Sequence, residues 1–122
     1  MLVVEDDSAV QRLIATILRR EKLEVFTAND GLDAVQCLQT TRFDLVVLDL
    51  MMPRMDGFAL LEHLREGTSV RHDGPVIVMT AAADTLVSRL DGTQVQAVLR
   101  KPFEVDQLAL LVRRTLEEKE QP

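Results

Sequence analysis

At 122 residues and 47% hydrophobic, the chain can bury the core of one domain and is not disordered by composition. A formal net charge of −6 argues against binding nucleic acid or an anionic membrane through the overall field, and favours a divalent cation or a basic partner surface. A lone cysteine, Cys37, rules out an internal disulfide, and the apolar start Met1–Val4 is far too short for a signal peptide or a membrane span, which implies the cytoplasm.

In chain order, Leu2–Val4 is a short apolar run that predicts a strand. Ser8 then opens a helix whose Val10, Leu13, Ile14, Ile17 and Leu18 recur at i, i+3, i+4, i+7, i+8, with Ser8 and Gln11 suited to a capping box. Glu24–Ala28 reads as a strand, Asn29-Asp30-Gly31 as a turn, and Leu32–Leu38 as a shorter helix. Leu45–Leu48 is a buried strand that runs into Asp49. Asp56 and Gly57 turn into a helix over Phe58–Arg65 that Gly67 stops. After Gly74-Pro75 comes a buried strand Val76–Met79 ending at Thr80, then a weak helix Thr85–Leu90 ended by Asp91-Gly92. Val95–Leu99 is the last strand, running into Arg100-Lys101-Pro102. The last helix starts near Glu104, with Val105, Leu108, Val112 and Leu116 on one stripe. A single domain over residues 1–118 is expected, with 119–122 as a polar tail suited to a linker.

Five continuous apolar strands alternating with five helices predict an α/β fold, a parallel sheet covered on both faces. In such sheets ligands sit at the carboxyl ends of the strands. Those ends here carry Glu5, Asp6 and Asp7 after the first strand, Asp49 after the third, Thr80 after the fourth and Lys101 after the fifth. Clustered carboxylates repel and call for a cation. An all-oxygen set with no His or Cys suits Mg²⁺, which keeps waters and commonly bridges to phosphate. A carboxylate can itself attack phosphorus to give an aspartyl-phosphate, and phosphoryl transfer then needs positive charge and donors on the transferred oxygens. Lys101 and the Thr80 hydroxyl are the candidates for that.

Singly, most of these residues have plainer readings. Asp6, Asp7 and Ser8 are helix-capping types, Thr80 is an ordinary strand-end residue, and Lys101 a solvated charge. His63 reads as a helix residue among charges, His72 as a loop residue, Cys37 as a packed helix residue, and Met51-Met52 as loop packing. Asp49 resists such a reading, because capping does not explain an acid inside an apolar run, which is costly unless something pairs with it or uses it.

The stretches "VVEDDS" (Val3–Ser8), "DLVVLDLMMPRMDG" (Asp44–Gly57), "VIVMTA" (Val76–Ala81) and "RKPF" (Arg100–Phe103) resemble, in order and over essentially the whole chain, the receiver domains of two-component response regulators. The resemblance implies a flavodoxin-like, doubly wound (βα)5 sheet of order 2-1-3-4-5 with helices on both faces. It implies that Asp49 is the phosphoacceptor, that Asp6 binds Mg²⁺ directly and Glu5 through water, that Met51 offers its backbone carbonyl, and that Thr80 and Lys101 contact the phosphoryl group. It further implies a cis Lys101–Pro102 peptide and a phosphohistidine donor on a sensor histidine kinase or phosphotransfer protein. An output domain or partner outside this chain would read the signal, and a homodimer is compatible with it. Such a domain is a regulatory phosphoacceptor that catalyses its own modification and slow dephosphorylation, rather than an enzyme in the usual sense.

Two features depart from the family pattern. Val98 stands where the family usually has Tyr or Phe, three residues before the lysine, and Gly92–Val98 lacks the usual Gly-Ala before the last strand. Two rival readings fit the residues less well. A haloacid-dehalogenase-like phosphatase wants a second Asp two residues after the nucleophile, where Met51 stands. A receiver-like interaction module that is not phosphorylated usually lacks an acid or the lysine, and all are present here.

Overall fold

The computed structural model describes residues 1–67 and 70–120. The elements alternate: β1 (Leu2–Val4), α1 (Ser8–Arg20), β2 (Phe26–Ala28), α2 (Gly31–Thr40), β3 (Val46–Asp49), α3 (Gly57–Glu66), β4 (Val76–Thr80), α4 (Asp84–Val87), β5 (Ala97–Arg100) and α5 (Val105–Glu120). The strands form one sheet of order β2-β1-β3-β4-β5, parallel throughout. This is the expected doubly wound, flavodoxin-like arrangement.

Strand side chains alternate between faces, so each strand feeds two cores. Leu2, Val4, Val46, Leu48, Val76 and Val78 pack with Ala34 and Leu38 of α2 and with Leu60 and Leu61 of α3. Val3, Val47, Ile77 and Met79 pack on the other face with Ile14, Ala15 and Leu18 of α1 and Leu108 and Val112 of α5. The register pairs Val4 with Leu48, so the next residues, Glu5 and Asp49, emerge side by side. Both continue the alternation of Val3 and Val47, toward the α1 and α5 face.

Several local expectations are corrected. Asp7, not Ser8, caps α1: its Oδ1 accepts the N–H groups of Ala9 at 2.9 Å and Val10 at 3.1 Å. Gln11 is therefore free of the capping box and turns inward, completing a buried stripe with Ile14, Ala15 and Leu18. Leu13 falls off that stripe and is 52% exposed. β2 is shorter than Glu24–Ala28 because it is an edge strand, with Phe26 and Thr27 exposed and only Ala28 buried. The helix expected over Thr85–Leu90 is the four-residue α4, with no side-chain cap at Ala83 and no buried residue to hold it. β5 begins at Ala97, two residues later than expected; Val95 is buried but its N–H bonds back to Asp91. Met51 is exposed rather than packed, whereas Met52 packs against the core. Gly67 does end α3, in the left-handed conformation (φ 66°) that glycine adopts without penalty. The α5 backbone continues to Glu120; Gln121 and Pro122 of the expected tail lie outside the described residues.

Candidate functional site

Four strand ends meet at the carboxyl edge of the sheet. Asp49, the last residue of β3, is buried (4% exposed). Its Oδ1 accepts the Met51 N–H at 3.1 Å, and its Oδ2 accepts from Lys101 Nζ at 2.9 Å. Lys101 follows β5 directly. Its backbone N–H bonds to the Thr80 carbonyl at 2.8 Å, and the Lys101–Pro102 peptide is cis, as expected. The same Nζ donates to Glu5 Oε1 at 2.5 Å. Two carboxylates from separate strands thus share one ammonium.

Glu5 is fully buried, and its second oxygen, Oε2, has no hydrogen-bond partner among the described residues. Burial pushes the Glu5 carboxyl up to about 7, the neighbouring Asp49 pushes the same way, and Lys101 opposes both. Burial pulls Lys101 down, but the carboxylates of Glu5 and Asp49 outweigh it and hold the ammonium above its ordinary value. Asp6 is exposed at the rim, and oxygens of Glu5, Asp6 and Asp49 all lie within 4.8 Å of one another. Three carboxylates facing one ammonium leave an excess of negative charge. With an orphaned buried oxygen and hard oxygen donors only, this set fits a divalent cation of the Mg²⁺ type.

Thr80 is fully buried at the end of β4, and its hydroxyl accepts the Ala82 N–H at 2.9 Å, anchoring the loop that follows. Met51 sits two residues past Asp49, its peptide tied to the acid through the N–H. Asp56 caps α3 through Ala59 N–H at 2.9 Å, and Gly57 has room for no side chain, a Cβ there lying 2.7 Å from the Asp49 carbonyl oxygen. Asp49, Glu5, Asp6 and Lys101 are therefore brought together, with Thr80 on the adjacent strand end.

Sequence reasoning missed two residues of this region. Gln11 donates its amide to the Glu5 carbonyl at 2.9 Å, the Ala28 carbonyl at 3.1 Å and Asn29 Oδ1 at 3.1 Å. The available signal was a polar side chain on a helical stripe with Ile14, Ala15 and Leu18. Arg54, in the loop after Asp49, reaches across to Asp30 at 2.5 Å. That contact joins residues distant in sequence and leaves no periodic trace.

A doubly wound parallel sheet whose carboxyl edge gathers a buried aspartate, two further acids and a lysine defines a receiver of the two-component type. The chain belongs to that family: the model of the response regulator receiver domain matches residues 1–113. It is 38% identical over 127 residues to the response regulator MprA of Mycobacterium ulcerans, covering 98% of this chain and 53% of that protein. Among solved structures, it is similar to the receiver domain of a signal transduction histidine kinase from Syntrophus aciditrophicus, with a TM-score of 0.86, 31% identity, and coverage of 99% of this chain and 92% of that one. The response regulator TrrA of Thermotoga maritima, in complex with Mg²⁺ and BeF, matches with a TM-score of 0.79 and 28% identity, covering 93% of this chain and 96% of that one. The chain spans about half the length of the curated relatives it matches. No helix among the described residues is long and apolar enough to cross a membrane.

Proposed function

We propose that Asp49 is the phosphoacceptor of this receiver, that Glu5, Asp6, Asp49 and the Met51 carbonyl hold Mg²⁺, and that residues 1–118 form the phosphoaccepting unit. The observation that carries this is Asp49 itself: a buried carboxylate at a strand end, paired with Lys101 at 2.9 Å and clustered with two more acids. A carboxylate oxygen of Asp49 attacks phosphorus, the new O–P bond forms, and the bond from phosphorus to the donor's imidazole nitrogen breaks, returning its electron pair to the ring. When bound, Mg²⁺ supplies positive charge against the oxygens of the transferred group. Lys101 supplies a further positive charge, and its flexible stem lets it move from the carboxylates to a phosphoryl oxygen. The Met51 N–H holds Asp49 Oδ1, leaving Oδ2 as the oxygen the lysine addresses. The Thr80 hydroxyl retains a proton to donate.

A sensor histidine kinase or phosphotransfer protein is the donor in this reading, and a module beyond this chain reads the outcome. The test needs neither. Acetyl phosphate with Mg²⁺ adds the mass of one phosphoryl group to the intact chain; EDTA abolishes the gain, and so does Asp49→Asn. Labelling that persists in Asp49→Asn refutes the assignment.

A further inference from the structure

The loop between β2 and α2 gives no acid to the cluster, yet it is bonded both to the loop that carries Glu5 and Asp6 and to the loop that follows Asp49. On one side, Gln11 ties Asn29 Oδ1 and the Ala28 carbonyl to the Glu5 carbonyl, with distances of 2.9 to 3.1 Å. On the other side, Arg54 spreads its guanidinium over two carboxylates of this region. Nε donates to Asp30 Oδ2 at 2.5 Å and a terminal nitrogen to Asp33 Oδ1 at 3.4 Å. Both acceptors are themselves fixed. Asp30 is buried and its other oxygen caps α2 through the Asp33 N–H at 2.9 Å, while Asp33 Oδ2 accepts the Asn29 N–H at 3.3 Å. The Gly31 N–H adds a backbone bond to the Met55 carbonyl at 3.0 Å, one residue past the arginine.

Arg54 holds this position with a left-handed backbone (φ 63°), a conformation unfavourable for any residue with a Cβ. Such a conformation persists where the surroundings over-determine it. Here the guanidinium fork and the Gly31–Met55 bond do so. The segment they fix is the one that carries the Met51 peptide, whose N–H binds Asp49 Oδ1 at 3.1 Å.

We propose that Arg54 is a positioning residue for the divalent cation site, clamped by Asp30 and Asp33 so that the loop after Asp49 presents the Met51 peptide at a fixed distance from Glu5 and Asp6. This rests on the metal reading given above. The β2–α2 loop then acts as a strut between the two ligand-bearing loops, and Gln11 fastens its other end.

The sign of one measurement separates positioning from simple charge. Arg54 is a cation, and removing it uncovers two carboxylates, so charge alone predicts tighter Mg²⁺ binding in its absence. Positioning predicts weaker binding. Mg²⁺ is titrated calorimetrically into the wild-type chain, Arg54→Gly, Arg54→Met and Arg54→Lys at fixed ionic strength. Arg54→Gly adopts the left-handed backbone without strain, so it removes the clamp and preserves the loop's path as an option. The expected result is a dissociation constant raised about tenfold in Arg54→Gly and Arg54→Met, the scale of lost outer-shell partners, with part of the loss recovered in Arg54→Lys. A merely structural role lowers the melting temperature and leaves the dissociation constant of the folded chain where it was. Binding that is unchanged or tighter in both Arg54→Gly and Arg54→Met overturns the proposal while the site reading stands. Wild-type chain that binds no Mg²⁺, or binding that survives both Asp6→Asn and Asp49→Asn, overturns the site reading and the clamp's role with it.

Discussion

Replacing Glu5 with glutamine removes a charge from the most buried acid of the site while keeping an acceptor for Lys101 Nζ. In the metal-free protein this substitution is expected to stabilise, increasingly so as pH rises from about 4.5 to about 7. Burial raises the Glu5 carboxyl from 4.5 to about 7 in the folded chain. The folded protein therefore holds a proton that the unfolded chain has released. The stability linked to this group is fully present below about pH 4.5 and is lost as pH rises through about 7. That displacement corresponds to at most about 3 kcal/mol. Lys101 and Asp49 interact with the same proton and share that displacement, so about 1–2 kcal/mol is assigned to Glu5 itself. Glu5→Gln is locked in the uncharged form, so it matches wild type below about pH 4.5, gains on it as pH rises to about 7 and exceeds it by that amount at higher pH, which is about 4–8 °C in melting temperature for a domain of this size. Far-UV circular dichroism melts in EDTA at constant ionic strength, across this pH range, read the difference in a chain that has no Trp or Tyr. Mg²⁺ favours the ionised carboxylate and flattens the wild-type decline, so the advantage of Glu5→Gln shrinks when the metal is added. Parallel pH profiles of the two proteins in EDTA refute the burial argument.

Lys101→Met is expected to accept some label at Asp49 yet to show the same amide exchange with and without it, because the mobile charge that reports the phosphoryl group is gone; a wild-type response in the mutant contradicts this role. Gly31→Ala places a Cβ 2.7 Å from Met55 Cβ and is expected to cost about 1–3 kcal/mol by overpacking, so a melting temperature within a degree of wild type contradicts the close approach. Beryllofluoride with Mg²⁺ is expected to change hydrogen exchange over Ala81–Gly92 in wild type and equally in Val98→Ala; a response lost in a folded Val98→Ala shows that this side chain carries the switch.

The strand ends were legible because burial on both faces writes itself as an uninterrupted apolar run, and an acid or a lysine that interrupts such a run stands out. Leu45–Leu48 into Asp49 is the clearest case. The convergence of those ends was legible from the parallel sheet, whose strands all end on one edge, and not from any local pattern, since Glu5 and Lys101 lie 96 residues apart and nothing periodic joins them. Single-residue choices at helix ends were less legible. Asp7 and Ser8 are both capping types, and what decides between them is the extended backbone of Asp7 and the pull of buried carbonyls on Gln11. Arg54 leaves no such mark: it ends no strand, and its acceptor Asp30 lies 24 residues away.

The departure at Val98 bears on how the site communicates with the surface. A ligand or modification shifts a conformational equilibrium only through differential interaction with two states. Val98 is 36% exposed on β5, short and stiff at χ1, and its rotation changes little surface. The neighbouring segment offers more. α4 has no buried residue and no side-chain cap at its start, where Asp84 pairs with Arg100, the residue before Lys101. Past its other end, Arg89 lies 5.2 Å from the centre of the Phe58 ring, Arg65 pairs with Asp91 at 3.1 Å, and Gln94 donates to the Leu61 carbonyl at 2.6 Å. The segment is thus fastened to α3 downstream of α4, while upstream, among the described residues, it is held by the Thr80 hydroxyl, the buried Ala82 and an exposed ion pair, the weaker kind of contact. The hydroxyl and the ion pair are both adjacent to the site: Thr80 ends the strand beside Asp49, and Arg100 precedes Lys101. A displacement of Thr80 or Lys101 is therefore expected to act first on the start of α4, where an exposed ion pair and an uncapped helix end oppose it least, which is why exchange over Ala81–Gly92 rather than at Val98 is the place to read a response.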